Sequence, residues 1–320
     1  MESLLKEKLA FSTDSSLTSA SSRTVLSTTD GTLLNIELFS DPETTNKNSP
    51  ILLYTHGICA SAETLSLQNI VSAAKQHNVK VAALELEGHG LSSGSRSVCG
   101  DFERLLSHVL QFVQHTVPIL REDPNDASAP YFVAGNSIGG ALSTYAAENI
   151  SKNAETYPSN FKGLATICPS VGINPNKVPS APIVFALSIL ATMAPSLQIS
   201  LTPHQDPEDF NCPKDSKRNF EGHLPLATAR MLLDVTSAKI KNDLGSEKLQ
   251  LKFVENVLIF AGKTDETVPI ESITDFQEKI SPKSKEFVIV DGGHCIMTYQ
   301  ETAKVVNDAL FAWINVNSTK

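Results

Sequence analysis

The stretch Tyr131-Phe132-Val133-Ala134-Gly135-Asn136-Ser137-Ile138-Gly139-Gly140 begins as a short apolar run and ends as a serine flanked by glycines. Four apolar residues halted by Gly135 read as a buried strand, and the apolar spacing over residues 141–150 reads as a helix. The piece between them has the form G-x-S-x-G. A strand that turns into a helix within one residue crowds that residue's neighbours, and glycine at 135 and 139 relieves the crowding. Such a turn holds the serine in a strained conformation with its hydroxyl exposed above a sheet edge. The helix starting at Ile138 adds positive potential there.

Outward from this turn the chain alternates strand-like and helix-like runs. Residues 24–27 and 32–40, separated by Asp30-Gly31, predict an opening hairpin. Residues 51–55, 80–86, 163–168, 256–261 and 287–290 read as strands, and 102–117, 270–280 and 302–314 as helices. This rhythm predicts an α/β fold, a mostly parallel central sheet with helices on both faces. After Pro169 the texture changes. Residues 171–222 are proline-rich without clear alternation, 183–194 are nearly all apolar, and 226–240 have an amphipathic helical pattern. The predicted organisation is a core of residues 23–170 and 246–320, an insertion at 171–245, and a flexible Ser/Thr-rich tail at 1–22.

Composition narrows the function. The chain has 320 residues, with 26 Lys and Arg against 35 Asp and Glu, a net charge of −9. That balance, with no basic run, argues against nucleic acid as a partner, because such binding rests on neutralising phosphates. Five scattered cysteines without a C-x-x-C pair argue against a disulfide framework and a structural zinc site. They point to a reducing, cytoplasmic setting. The charged first ten residues do not read as a secretory signal, and the twelve apolar residues 183–194 are too few to span a bilayer. They read as a helix of the insertion, either buried or with an outer face that touches membrane or guides an acyl chain.

A serine hydroxyl needs a general base to act as a nucleophile. His294, in Asp291-Gly292-Gly293-His294, follows the last strand and so falls on the same sheet edge as Ser137. Asp265, in Gly262-Lys263-Thr264-Asp265, follows strand 256–261 and is placed to orient the imidazole. Glu266 and Asp291 are its rivals, and Asp291 also reads as a residue that shapes the turn before His294. Acyl transfer further needs oxyanion donors. The backbone N–H of Ile138 is one, and that of Ile58, in His56-Gly57-Ile58 after strand 51–55, is the other. His56 reads as positioning that loop, and His89 as stabilising its own loop, since no second ligand stands at metal spacing. Gly88, Gly90 and Gly94 fit turns better than a dinucleotide fingerprint. Cys295 reads as a buried small apolar residue.

The order Ser137, Asp265, His294 is that of an α/β-hydrolase. Together with His56-Gly57, Gly88-His89-Gly90-Leu91-Ser92, Asp101-Phe102, Gly262-Lys263-Thr264-Asp265 and Gly292-Gly293-His294, it makes residues 25–315 resemble the α/β-hydrolase superfamily. Within it the chain is similar to the monoacylglycerol lipase and lysophospholipase-like (serine aminopeptidase S33-type) group. The resemblance implies a serine hydrolase of carboxylic esters, without cofactor or metal, whose site lies under a helical cap (lid) formed here by 171–245. The chain departs from the group in having Asn136 where histidine usually precedes the nucleophile, and Glu87 before the Gly88 loop.

The expected activity is hydrolysis of a lipid monoester through a Ser-His-Asp triad and an acyl-enzyme. The protein is expected in the cytoplasm, with peripheral membrane contact through the cap. The alternatives are a carboxylesterase of small soluble esters, an acyltransferase that uses an alcohol in place of water, and a ligand-binding protein on a hydrolase fold with little turnover.

Overall fold

Strand pairing in the computed structural model follows the apolar runs. The structure describes residues 22–41, 43, 45–121, 128–200, 204–205, 218, 220 and 222–319, so the expected tail lies, except for Ser22, outside the described residues. The main sheet is formed by β1 (Ser22–Ser27), β2 (Leu33–Phe39), β3 (Ile51–Thr55), β4 (Lys80–Leu84), β5 (Tyr131–Asn136), β6 (Phe161–Ile167), β7 (Asn256–Gly262) and β8 (Ser284–Val290). Their spatial order is β1-β2-β4-β3-β5-β6-β7-β8. β2 is antiparallel to both its neighbours, and every pairing from β4 to β8 is parallel.

Parallel strands demand crossovers, and the helices between the strands, with one more after the last strand, cover both faces. They are α1 (Leu65–Gln76), α2 (Phe102–Arg121), α3 (Ile138–Lys152), α4 (Ala181–Met193), α5 (Leu226–Asp234), α6 (Ile270–Lys279) and α7 (Gln300–Ser318). Successive strand residues feed opposite faces, as the pleat requires. Ile51, Leu53, Tyr131, Val133, Val257 and Ile259 join one core with Val109, Phe112 and Val113 of α2 and Leu142 of α3. Leu52, Tyr54, Phe132, Ala134, Leu258 and Phe260 join the other with Leu67 and Ile70 of α1 and Leu310 and Phe311 of α7.

Several details differ from the sequence reading. Helix α1 was not expected, although Leu67, Ile70, Val71 and Ala74 have helical spacing and are buried. The run 226–240 is not uniformly α-helical: α5 passes into a π turn at Val235–Lys239 and a last α turn at Ile240–Asp243. Between β6 and β7 lie α4, α5 and a short pairing of His204–Gln205 with Gly222–His223. Only Ala191 of α4 is buried, so the buried reading of 183–194 does not hold. No helix among the described residues is long and apolar enough to cross a membrane.

Candidate active site

Parallel strands end on one edge, and five such ends carry the site. Register aligns Thr55 with Gly135, Asn136 with Ile167, Ile167 with Phe260, and Val290 with Gly262. Ser137 follows β5 and precedes α3 with φ 55° and ψ −121°. This is a conformation that L-residues avoid and that costs about 1–3 kcal/mol. The glycines allow it by removing obstacles. A Cβ on Gly135 would lie 2.2 Å from the Gly139 carbonyl oxygen, and one on Gly139 would lie 2.2 Å from that of Thr55.

Asp265 and His294 are held by two loops laced to each other. Lys263 N–H donates to Val290 O at 2.8 Å and Thr264 N–H to Gly292 O at 2.9 Å. Gly262 permits this approach, since a Cβ there would meet Gly293 O at 2.2 Å. The three side chains named from the sequence come together in a line. His294 Nδ1 is 2.7 Å from Asp265 Oδ2, and His294 Nε2 is 3.0 Å from Ser137 Oγ. The other Asp265 oxygen, Oδ1, accepts from Thr267 N–H at 2.8 Å and Val268 N–H at 2.9 Å. Its side chain is wholly buried, whereas the Asp291 side chain is 87% exposed and faces Lys263 at 3.7 Å. Asp291 is therefore outside the cluster.

The loop after β3 reaches the same point. A Cβ on Gly57 would lie 3.3 Å from Ser137 Cβ, so glycine lets the backbone close on the serine. His56 is locked between two backbone groups: Nδ1–H donates to Gly57 O at 2.6 Å, and Nε2 accepts from Leu86 N–H at 3.1 Å. His89 does the equivalent for its neighbours, donating to Glu87 O and accepting from Cys59 N–H at 3.0 Å. Burial pulls the two imidazoles down, to about 4 and about 3 respectively, so both stay neutral. Ile138 N–H opens α3 and has no intrahelical acceptor. A narrow pocket beside Ser137 is lined by Thr64, Ser66, Asn136, His294 and Cys295. The Asn136 Oδ1 in it is buried without a partner among the described residues. Cys295 is only partly buried, contrary to expectation, because it faces this opening.

Three features escaped sequence reading. Cys168 is fully buried behind Asp265, and burial holds its thiol well up. Cys168, Asp265 and His294 offer ligand atoms within 4.8 Å of one another, but the carboxylate and imidazole are already joined. The Ser170 hydroxyl is 3.1 Å from Ser137 Oγ. Glu85, a charge inside an apolar strand run, is buried and accepts from Ala62 N–H, Leu91 N–H and the Asn35 amide. Arg218, from the segment between β6 and β7, reaches Glu37 at 2.5 Å, Glu63 at 2.9 Å and Glu85 at 3.6 Å. Burial raises the Glu85 carboxyl and the Arg218 charge opposes that rise. A charged residue in a strand run was the one available signal for this cluster.

Comparison with known proteins shows the family and the fold. Residues 46–301 match the family described as serine aminopeptidase, S33. Monoglyceride lipase of Rattus norvegicus is 29% identical over 149 residues, 47% of this chain and 44% of that protein. The chain thus spans under half the length of that relative. Caffeoylshikimate esterase of Arabidopsis thaliana is 25% identical over 270 residues, 82% of this chain and 76% of that protein. Among solved structures, a soluble variant of monoglyceride lipase from Saccharomyces cerevisiae superposes with a TM-score of 0.71 at 15% identity, covering 93% of this chain and 95% of that one. Monoacylglycerol lipase of Paleococcus ferrophilus gives 0.64 at 16% identity, with 88% and 98% covered. These two likenesses show the α/β-hydrolase fold, and the family match shows the lineage: the chain belongs to the serine aminopeptidase S33 family.

Proposed function

We propose that this chain is a serine hydrolase that cleaves lipid monoesters, such as a monoacylglycerol or a lysophospholipid. The hydrogen-bonded line Ser137–His294–Asp265 carries the reading. Asp265 accepts from His294 Nδ1–H and so fixes the tautomer with a bare Nε2. That nitrogen takes the Ser137 proton as Oγ attacks the ester carbonyl. The oxyanion rests on the N–H groups of Ile138 and Ile58. In the trans peptide that joins Gly57 to Ile58, the carbonyl turned to His56 leaves the Ile58 N–H pointing the opposite way. His294 then protonates the leaving alcohol, and water hydrolyses the acyl-enzyme. This chemistry needs no cofactor or metal.

The segment 171–245 serves as the cap. Ile183, Phe185, Ile189 and Met193 of α4 are exposed, which supports an acyl-chain entrance and peripheral contact with a membrane. Among the described residues, Cys59, Cys99, Cys168 and Cys295 form no disulfide, which fits a cytoplasmic enzyme. A second reading, an esterase of small soluble esters, is favoured by the wider coverage of the caffeoylshikimate esterase match.

A fluorophosphonate probe tests the chemistry: it should label the folded protein at Ser137, and Ser137→Ala should abolish labelling and turnover. A folded protein that does not react is a binding module instead. Esters of increasing acyl length then test the substrate, and a strict preference for short chains would reject the lipid reading.

A further inference from the structure

Among the described residues, Ser137 Oγ has two side-chain hydrogen-bond neighbours. One is His294 Nε2 at 3.0 Å, and the other is the hydroxyl of Ser170 at 3.1 Å. Ser170 follows Pro169 just beyond β6, is 5% exposed, and is fixed by its backbone N–H, which donates to Ser137 O at 2.9 Å. Pro169 packs on the first turn of α3, where a Cβ on Gly140 would lie 3.1 Å from it. The second hydroxyl is therefore held against the first by backbone on both sides.

A hydroxyl owns one hydrogen and two lone pairs. With Asp265 accepting from Nδ1–H, His294 Nε2 is an acceptor, and the Ser137 hydrogen is committed to it. Towards Ser170 the Ser137 oxygen can then only accept, so Ser170 donates. The other lone pair of Ser137 stays free for the carbonyl carbon. As the Ser137 proton passes to His294, charge grows on Oγ, and a neutral hydrogen bond becomes a charge-assisted one. When the acyl-enzyme is hydrolysed, Oγ departs with the same charge, and the same donor receives it.

We propose that Ser170 is a fourth catalytic residue, whose hydroxyl donates to the Ser137 oxygen and stabilises the charge that develops there in both acylation and deacylation. Ser170 keeps its own proton throughout. The proposal rests on Ser137 being the nucleophile.

The test compares Ser170→Ala and Ser170→Thr with the wild type in three measurements: the second-order rate of fluorophosphonate labelling, kcat and KM on a short nitrophenyl ester, and Tm. Because the bond strengthens only as charge appears, Ser170→Ala should slow labelling and kcat by about 10- to 100-fold with KM and Tm little changed. Ser170→Thr, which keeps the hydroxyl, should recover most of the rate. Wild-type or faster labelling of Ser170→Ala, or a Thr variant as slow as the Ala variant, overturns the proposal. Should Ser170→Ala not fold, Ser170→Cys, a weak donor of similar shape, decides by the same rates. A wild type that does not label at Ser137 overturns the assigned hydrolase chemistry, and this inference with it; a wild type that labels while Ser170→Ala keeps pace overturns this inference alone.

Discussion

Gly90 wraps the carboxylate of Glu85 so closely that a Cβ on the glycine would lie 1.9 Å from the carboxyl carbon. Gly90 also has φ +52°, in the left-handed region. Gly90→Ala should therefore destabilise by about 3 kcal/mol or more, from overpacking added to backbone strain. Gly31→Ala is the control: its φ is +83° but nothing lies within 4 Å, so about 1 kcal/mol is expected. Urea unfolding of the two variants measures the contrast, and equal midpoints would refute the packing argument.

Arg218 is 5% exposed among three carboxylates, two of which, Glu37 and Glu85, are also buried. Removing the guanidinium strands Glu85, whereas Glu37 keeps Arg23 Nε at 3.1 Å. Arg218→Met should cost about 3–5 kcal/mol at neutral pH. The deficit should shrink on acidification: burial already raises the Glu85 carboxyl, and loss of the opposing charge raises it further, so protons neutralise the stranded group. A deficit that stays constant from pH 7 to pH 5 would count against this account.

His56 and His89 give the wild type a pH dependence of their own. Their folded pKa values, about 4 and about 3, lie below the unfolded imidazole value of about 6.5. Between those limits the unfolded chain binds more protons, so stability rises with pH. The contribution is complete above about 6.5. It is lost as pH falls through that value towards 4 for His56 and towards 3 for His89. Below pH 6 the Tm of His56→Gln should fall less steeply with acidification than that of the wild type, and parallel falls would assign the effect to another group.

Asp265→Asn keeps the size of the side chain but presents an amide to His294 Nδ1. The tautomer then reverses, Nε2 carries the proton, and Ser137 loses its base. A fall in kcat of about 10³- to 10⁴-fold is expected with little change in KM. Glu266→Gln and Asp291→Asn should remain within a few-fold of wild type, and a comparable fall in either would reassign the acid.

Most of the sheet could be read from the sequence because each central strand is a continuous apolar run ended by glycine or a polar residue. The strand Ile51–Thr55 appears with the expected bounds. Helix Leu65–Gln76 was missed because Ser66, Gln68, Asn69 and Ser72 dilute its stripe, and packing against α7 decides it. The line Ser137–His294–Asp265 was proposed from three separate strand-end loops, since a parallel sheet forces those loops onto one edge.

By itself the sequence determined the alternation of strand and helix, the glycine-flanked turn that exposes Ser137, and the chain order of the three groups, because these follow from local sterics and periodicity. Only the tertiary structure decided that Ser170 touches Ser137, that Cys168 backs Asp265, and that Arg218 meets Glu37 and Glu85 across 181 and 133 residues of chain. Those contacts have no sequence period. They arise where loops from separate crossovers converge, and burial there leaves each polar group to find its partner in space.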